Sequence, residues 1–219
     1  MVNPKAALAS AGFILLMIVA GLIALGQVPA DARIATHFAA DGTPNGWMHP
    51  FPAFFVAPAI ATVIWLTFLA IPHLGKRSAA LAHMPRTYAI LWALPVVITV
   101  PVDLVVIGPA LGWSWATLRL VPAAVGVLFI LLGNVMGKLP PNPFIGIRNS
   151  WTRADDRVWD QTHRFGGWVF LIGGFVILGS ALLVPRERVF PPVVLVVALF
   201  AAALCTAKSW LLARDQRQR

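Results

Sequence analysis

Ala6–Val28 reads AALASAGFILLMIVAGLIALGQV, 23 residues without a charge. A helix rises about 1.5 Å per residue, so about 20 apolar residues cross a hydrocarbon core about 30 Å thick. The run is too long for the apolar region of a cleaved signal peptide, about 7–15 residues. It is therefore expected to stay in the membrane, although small residues follow it at Val28-Pro29-Ala30. Five further windows are also long and mostly apolar: Phe51–Ile71, Thr87–Ile107, Thr117–Met136, Trp168–Val184 and Pro191–Ala207. The last two are the shortest.

Composition agrees with these windows. Of 219 residues, 59% are hydrophobic and 11% charged, against about a quarter charged in soluble domains. Mean hydropathy is +0.80. A soluble fold of this size has no way to bury that much apolar surface, so the expected fold is an all-α, polytopic membrane bundle of six transmembrane helices. Helices satisfy their own backbone groups, as lipid requires. Cys205, the single cysteine, lies inside an apolar run and has no intrachain partner for a disulfide.

The net charge of +9 and the pI of about 11.3 suggest nucleic acid in a soluble protein. Here the cations sit in a few loops, so lipid and orientation explain them, and no nucleic acid partner is expected. Six spans put both termini on one side. Lys5, Lys76, Arg77, Arg86, Lys138, Arg148, Arg153, Arg157, Arg164, Lys208, Arg214, Arg217 and Arg219 then share that side. Arg33, Arg119, Arg186 and Arg188 fall on the other. The positive-inside rule makes the richer side cytoplasmic, giving N-in and C-in termini.

Two loops carry more chemistry than a spacer needs. The outer one, Pro29–Pro50, reads PADARIATHFAADGTPNGWMHP, with Asp41-Gly42, Pro44 and Asn45-Gly46 as turn formers. A turn there brings His37 and Phe38 against Trp47 and His49. Such a rim suits an external ligand or a packed lid. Two histidines, with Asp41, make a weak metal signal, because zinc takes three or four protein ligands, and no metal or cofactor is assigned.

The inner loop, Gly137–Gly167, reads GKLPPNPFIGIRNSWTRADDRVWDQTHRFGG. Pro140, Pro141 and Pro143 forbid a regular helix, and Pro-Asn-Pro-Phe should be extended. Phe144–Ile147 is apolar enough to dip back toward the membrane. Thr152 is the expected cap of a short interfacial helix, with Asp155 completing a capping-box-like pair, and the helix should end at Gly166-Gly167, where the fifth span begins. Trp159 and His163, four apart, share a face. Asn134, Lys138, Asn142, Arg148, Trp151, Trp159 and His163 are expected to converge. Within the third span Asp103 is a charge that costs about 2.5–3.5 kcal/mol to insert at a helix centre; an ion pair with Arg119 is its expected relief. No nucleophile elbow, phosphate loop or dinucleotide fingerprint occurs.

These residues resemble two known families. Ile34-Ala35-Thr36-His37-Phe38, Asp41-Gly42, Pro44 and Gly46-Trp47 are similar to the domain of unknown function 1648. A second set resembles the SdpI family signature: Gly133-Asn134, Met136-Gly137-Lys138, Asn142, Phe144, Gly146-Ile147-Arg148, Trp151-Thr152, Trp159, Thr162-His163-Arg164 and Gly166-Gly167. The resemblance covers about the first 70 residues and roughly 130–180. It implies a non-enzymatic bacterial inner-membrane protein. Relatives give immunity to a secreted peptide toxin that collapses the membrane potential, and act as receptors that recruit a cytosolic repressor. The implied organisation is a DUF1648-like region at 1–72, a connecting third span at 73–116 and an SdpI-like region at 117–219. On that reading the implied contacts are lipid, an extracellular peptide toxin at His37, Phe38, Asp41, Trp47 and His49, and a cytosolic protein at the inner loop, where Thr152 joins the residues named above. Two other readings stand beside it: a small transporter or channel using Asp103, and a metal-dependent or enzymatic membrane protein.

Overall fold

A computed structural model describes residues 4–39, 43–75, 84–113, 119–183 and 190–217. Asp41 and Gly42 lie outside the described residues, as do Lys76, Arg77, Arg186, Arg188 and Arg219. The chain is a multi-pass membrane protein built as a helical bundle. Its long helices are α1 (Pro4–Leu25), α2 (Pro50–Ala70), α3 (Pro85–Ile107), α4 (Leu120–Met136), α6 (Asp156–Leu183) and α7 (Phe190–Arg217). α5 (Ser150–Ala154) is a five-residue helix before α6, and β1 (Ile34–Phe38) and β2 (Pro44–Met48) form a hairpin between α1 and α2. Among the described residues, five helices are long and apolar enough to cross a membrane, and α4, at 17 residues, is a shorter apolar helix.

Prolines mark several starts. Pro50 and Pro85 open α2 and α3, where a missing N–H costs nothing. Inside these helices, Pro58, Pro95 and Pro101 each remove a backbone donor. Thr62 and Thr99 turn back onto the carbonyls of Pro58 and Pro95, at 2.8 and 2.6 Å.

The two loops lie at opposite ends of the bundle. At one end Ala24, Ala53, Phe54, Val106 and Ile107 pack together, with Ile34 of β1 and Val28 against them. At the other, Ile71, Tyr88, Leu91, Trp92, Val135 and Leu139 form a core joined by Trp65, Phe68 and Ile145. Trp65 and Phe68 lie on α2, and Tyr88 and Trp92 on α3; Trp65 stands edge-on to Trp92 at 5.4 Å. The α1–α2–α3 half meets the α4–α6–α7 half through α3 and α4.

α4 and α6 run antiparallel and nearly touch. A Cβ on Gly133 would sit 2.6 Å from Leu171 N and 2.7 Å from Gly167 O. One on Gly126 would lie 2.7 Å from Leu178 N, and one on Gly174 2.7 Å from Gly126 O. Small residues permit such approach in lipid, where helix association relies on packing.

That contact corrects one expectation. Gly166-Gly167 does not end a short helix; α6 continues through both from Asp156 to Leu183. The two glycines are contact points, Gly167 against Gly133 O and Gly166 against Ile147, Met136 and Cys205. The helix that carries the fifth span therefore starts well before Trp168. The sixth, expected to stop at Ala207, runs on as α7 to Arg217. At 28 residues α6 is about 42 Å long, against about 26 Å for α4. Gly137 faces Arg164, so the eight residues Asp156–His163 project about 12 Å beyond the end of α4.

Gly133→Ala should lower the melting temperature clearly, because its Cβ meets backbone that has little room to yield. Gly179→Ala, with nothing within 4 Å of the added Cβ, should be neutral or slightly stabilising. Thermal unfolding of the purified protein in detergent checks both; equal effects would refute the glycine seam.

Candidate functional site

The projecting turns of α6 carry a folded loop. Asn142 organises it, with Oδ1 accepting from the N–H groups of Phe144 and Ile145 at 2.9 and 2.8 Å. Its Nδ2 donates to the carbonyls of Pro140 and Ile145, both at 2.9 Å. Every hydrogen-bonding capacity of this amide is used. The expected extended run of Pro-Asn-Pro-Phe is thus a tight turn: the prolines exclude helix but leave the Asn side chain free to replace backbone partners.

Gly146 follows with φ +129°, a conformation L side chains rarely adopt. A Cβ there would run into His163 Nε2 and lie 3.1 Å from the Trp159 ring. This approach lets the Ile147 N–H donate to His163 Nε2 at 2.9 Å. His163 Nδ1 in turn donates to the Trp159 carbonyl at 2.8 Å. An acceptor Nε2 and a donor Nδ1 describe a neutral imidazole of one tautomer, assigned from its partners. Trp159 stacks on His163 at 4.0 Å, and its Nε1 donates to the Leu139 carbonyl at 2.8 Å. Both rings are about 1% exposed, so unmade bonds here would be expensive.

Beyond Ile147 the loop is tied twice more. Thr152 Oγ1 donates to the Ile147 carbonyl at 2.8 Å. Asn149, and not Thr152, is the N-cap of α5: its Oδ1 accepts from the Trp151 and Thr152 N–H groups, and Thr152 Oγ1 accepts from the Asn149 N–H at 3.1 Å. Thr152 occupies the third position of that box. Asp155 separates the two helices in extended conformation and accepts from the Val158 N–H at the start of α6. Asn149 Nδ2 also donates to Ser209 Oγ of α7 at 2.7 Å, anchoring the loop to a residue 60 positions away.

Of the seven residues expected to converge, Asn142, Trp159 and His163 do. Asn134, Lys138 and Arg148 are exposed, and Trp151 is half-buried, joining the network through its backbone N–H. Position explains the difference: Asn134 and Lys138 lie at the outer surface of the α4 end, and Arg148 sits between the two anchor points with its side chain outward. Asn149 and Ser209 belong to the network and were not expected. A capping-box reading starting one turn earlier would have found Asn149; Ser209 leaves no local signal.

At the other end, β1 and β2 pair antiparallel, with Ala35 opposite Trp47 and His37 opposite Gly46. His37 Nδ1 is hydrogen-bonded to Asn45 Oδ1. His37, Trp47 and His49 are exposed and Phe38 is half-buried. Trp47, Met48 and Phe51 give this end an exposed apolar rim. Among the described residues no group of three or more His, Cys, Asp or Glu side chains is placed to hold a metal ion.

Asp103 is buried on α3 at 3% exposure, and its Oδ1 has no hydrogen-bond partner among the described residues. The expected ion pair with Arg119 does not satisfy that atom, and Arg119 has other contacts.

The comparisons with known proteins take in both ends and the helices that join them. Residues 138–209 match the SdpI/YfhL protein family, and residues 12–62 match a domain of unknown function, DUF1648. Over 158 residues the chain is 27% identical to the immunity protein SdpI of Bacillus subtilis (strain 168), covering 71% of this chain and 72% of that protein. No solved structure matches. The first match contains Asn142, Asn149, Thr152, Trp159, His163 and Ser209, and the second contains the whole hairpin.

His163→Ala should leave the buried Ile147 N–H without a partner and remove the ring stacked on Trp159, costing about 1–3 kcal/mol for the N–H alone. Asn142→Asp should also destabilise, because two donated hydrogen bonds disappear. Arg148→Ala should leave stability unchanged. Thermal unfolding of the three variants checks this; a melting temperature for His163→Ala equal to that of the parent would refute the pinned loop.

Proposed function

We propose that the chain is a non-enzymatic immunity or signal-transducing protein of the SdpI type in the bacterial inner membrane. It protects against, or senses, an extracellular antimicrobial peptide. The observation that carries this reading is the coincidence of the 138–209 family match with the pinned loop and its anchors. The relative named as an immunity protein extends the argument beyond that segment.

On this reading the hairpin faces outward, with Phe38, Trp47 and the exposed histidines as the peptide contact; Asp41, expected with them, lies outside the described residues. The cation-rich end, including Lys138, Arg148 and Arg164, faces the cytosol, in agreement with the charge asymmetry. The pinned loop presents Arg148 and Trp151 to a cytosolic partner such as a repressor. A peptide on the hairpin changes the loop only if it binds two states of the bundle with different affinity.

Membrane potential in sensitive bacteria exposed to the family's toxin peptide tests the proposal. Cells making the parent should hold their potential, and cells making an inserted Arg148→Ala/Trp151→Ala variant at matched level should lose it. A parent that fails despite insertion would sink the immunity reading.

The unpaired Oδ1 of Asp103 favours one other reading, a small transporter or channel. Buried ionisable groups in spans mark ion and proton pathways. Ion flux in proteoliposomes that drops to background in Asp103→Asn would support it. No flux from the parent across a broad ion panel would remove it.

A further inference from the structure

The pinned loop does not use Asn134, Lys138 or Arg164, although all three stand in the family-like stretch. They lie together along the α4–α6 seam. Gly133 touches Gly167, and a Cβ on Gly137 would be 3.4 Å from the Cα and 3.5 Å from the Cγ of Arg164. The base of the Arg164 side chain therefore lies beside Gly137 at the end of α4. Asn134 and Lys138 follow Gly133 and Gly137 by one residue, and Trp168 follows Gly167 by one. In an antiparallel helix pair, a step of about +100° from the seam turns both helices toward the same side. Asn134, Lys138 and Trp168 thus share one side of the seam. The opposite side is taken by α7, which Gly166 and Gly173 meet through Cys205 and Val197.

All four residues are exposed, Trp168 at 68%. Depth follows from their neighbours. Ile172, Phe175 and Val176, one to two turns further along α6, are exposed and apolar, so hydrocarbon begins near Trp168 and Arg164 lies one turn outside it. Tryptophan favours that boundary. The Asn134 amide faces outward from the last turn of an apolar helix. Neither it, Lys138 nor Arg164 has a hydrogen bond or ion pair with another described residue. Asp160, exposed one turn beyond Arg164, is not paired with it either. Two cations and an amide with no partner among the described residues, at headgroup depth and beside an interfacial ring, complement a phosphodiester.

We propose that Asn134, Lys138, Arg164 and Trp168 bind the phosphate of one anionic phospholipid at the α4–α6 seam, on the side away from α7. The lipid phosphate accepts from the guanidinium, the ammonium and the amide, while its acyl chains run down beside Ile172 and Phe175. The site differs from general attraction to cationic loops because its geometry depends on a seam held closed by glycines.

Native mass spectrometry of the protein released from mixed phosphatidylglycerol and phosphatidylcholine tests the proposal. The parent should retain one phosphatidylglycerol selectively. Lys138→Gln/Arg164→Gln should cut that retention about tenfold or more, Asn134→Leu should weaken it, and Arg164→Lys should keep part of it. Arg214→Gln, a cation on α7 that lies over Trp210, should retain the lipid like the parent. Unchanged retention in the double variant, or an equal loss in Arg214→Gln, would overturn the site, as would equal retention of phosphatidylcholine. Melting temperatures of the variants, expected to match the parent without added lipid, keep lost binding distinct from lost folding.

Discussion

The close approach of α4 and α6 sets the geometry of the second half. Three glycine contacts, at Gly126, Gly133 and Gly137, leave the two backbones almost no freedom to slide. A one-turn slip of α6 would bring Leu171 and Leu178 where Gly167 and Gly174 now stand. In lipid, association of helices gains little from hydrophobic burial, so such a seam depends on contact over its whole length. Because α4 is short and α6 long, this fixed register leaves the first two turns of α6 standing clear of α4. Trp159 and His163 then stand where the loop after α4 returns.

The loop exploits that placement. Its backbone finds partners in side chains: Asn142 for Phe144 and Ile145, His163 for Ile147, Trp159 for Leu139, Thr152 for Ile147 again. A segment with three prolines has few internal backbone bonds to make, so side chains supply them. The neutral imidazole is held between two backbone groups and is not free for acid–base work while the loop is closed. On the proposed reading the loop acts through its shape, with Arg148 and Trp151 as the presented side chains.

Much of this was legible in the residues. Spans announce themselves by length and lack of charge, and α1, α2, α3 and α4 lie close to the windows Ala6–Val28, Phe51–Ile71, Thr87–Ile107 and Thr117–Met136. The helix through Gly166-Gly167 was not legible, because a glycine pair reads locally as a stop, and only a partner helix reveals it as a contact. The cap at Asn149 was missed because Thr152 suits the same role, and the choice depends on where the chain turns. Asn134 and Lys138 have the composition of a binding cluster, but helical phase puts them on the surface, away from Trp159. A reversal of the chain in the outer loop was readable from its turn formers, but not the two strands: Asn45-Gly46, expected in a turn, lies within β2, and Asp41-Gly42 lies outside the described residues.

The hydrogen bond between Asn149 and Ser209 also has a consequence for the order of biosynthesis. Asn149 leaves the ribosome 60 residues before its partner, when α6 has yet to emerge in full and α7 does not exist. At the speed of translation, about 5–20 residues per second, several seconds separate the two. Through that interval the loop lacks its anchor on α7. The bond closes only after α7 enters the membrane, so it reports that α6 and α7 have both been threaded and packed.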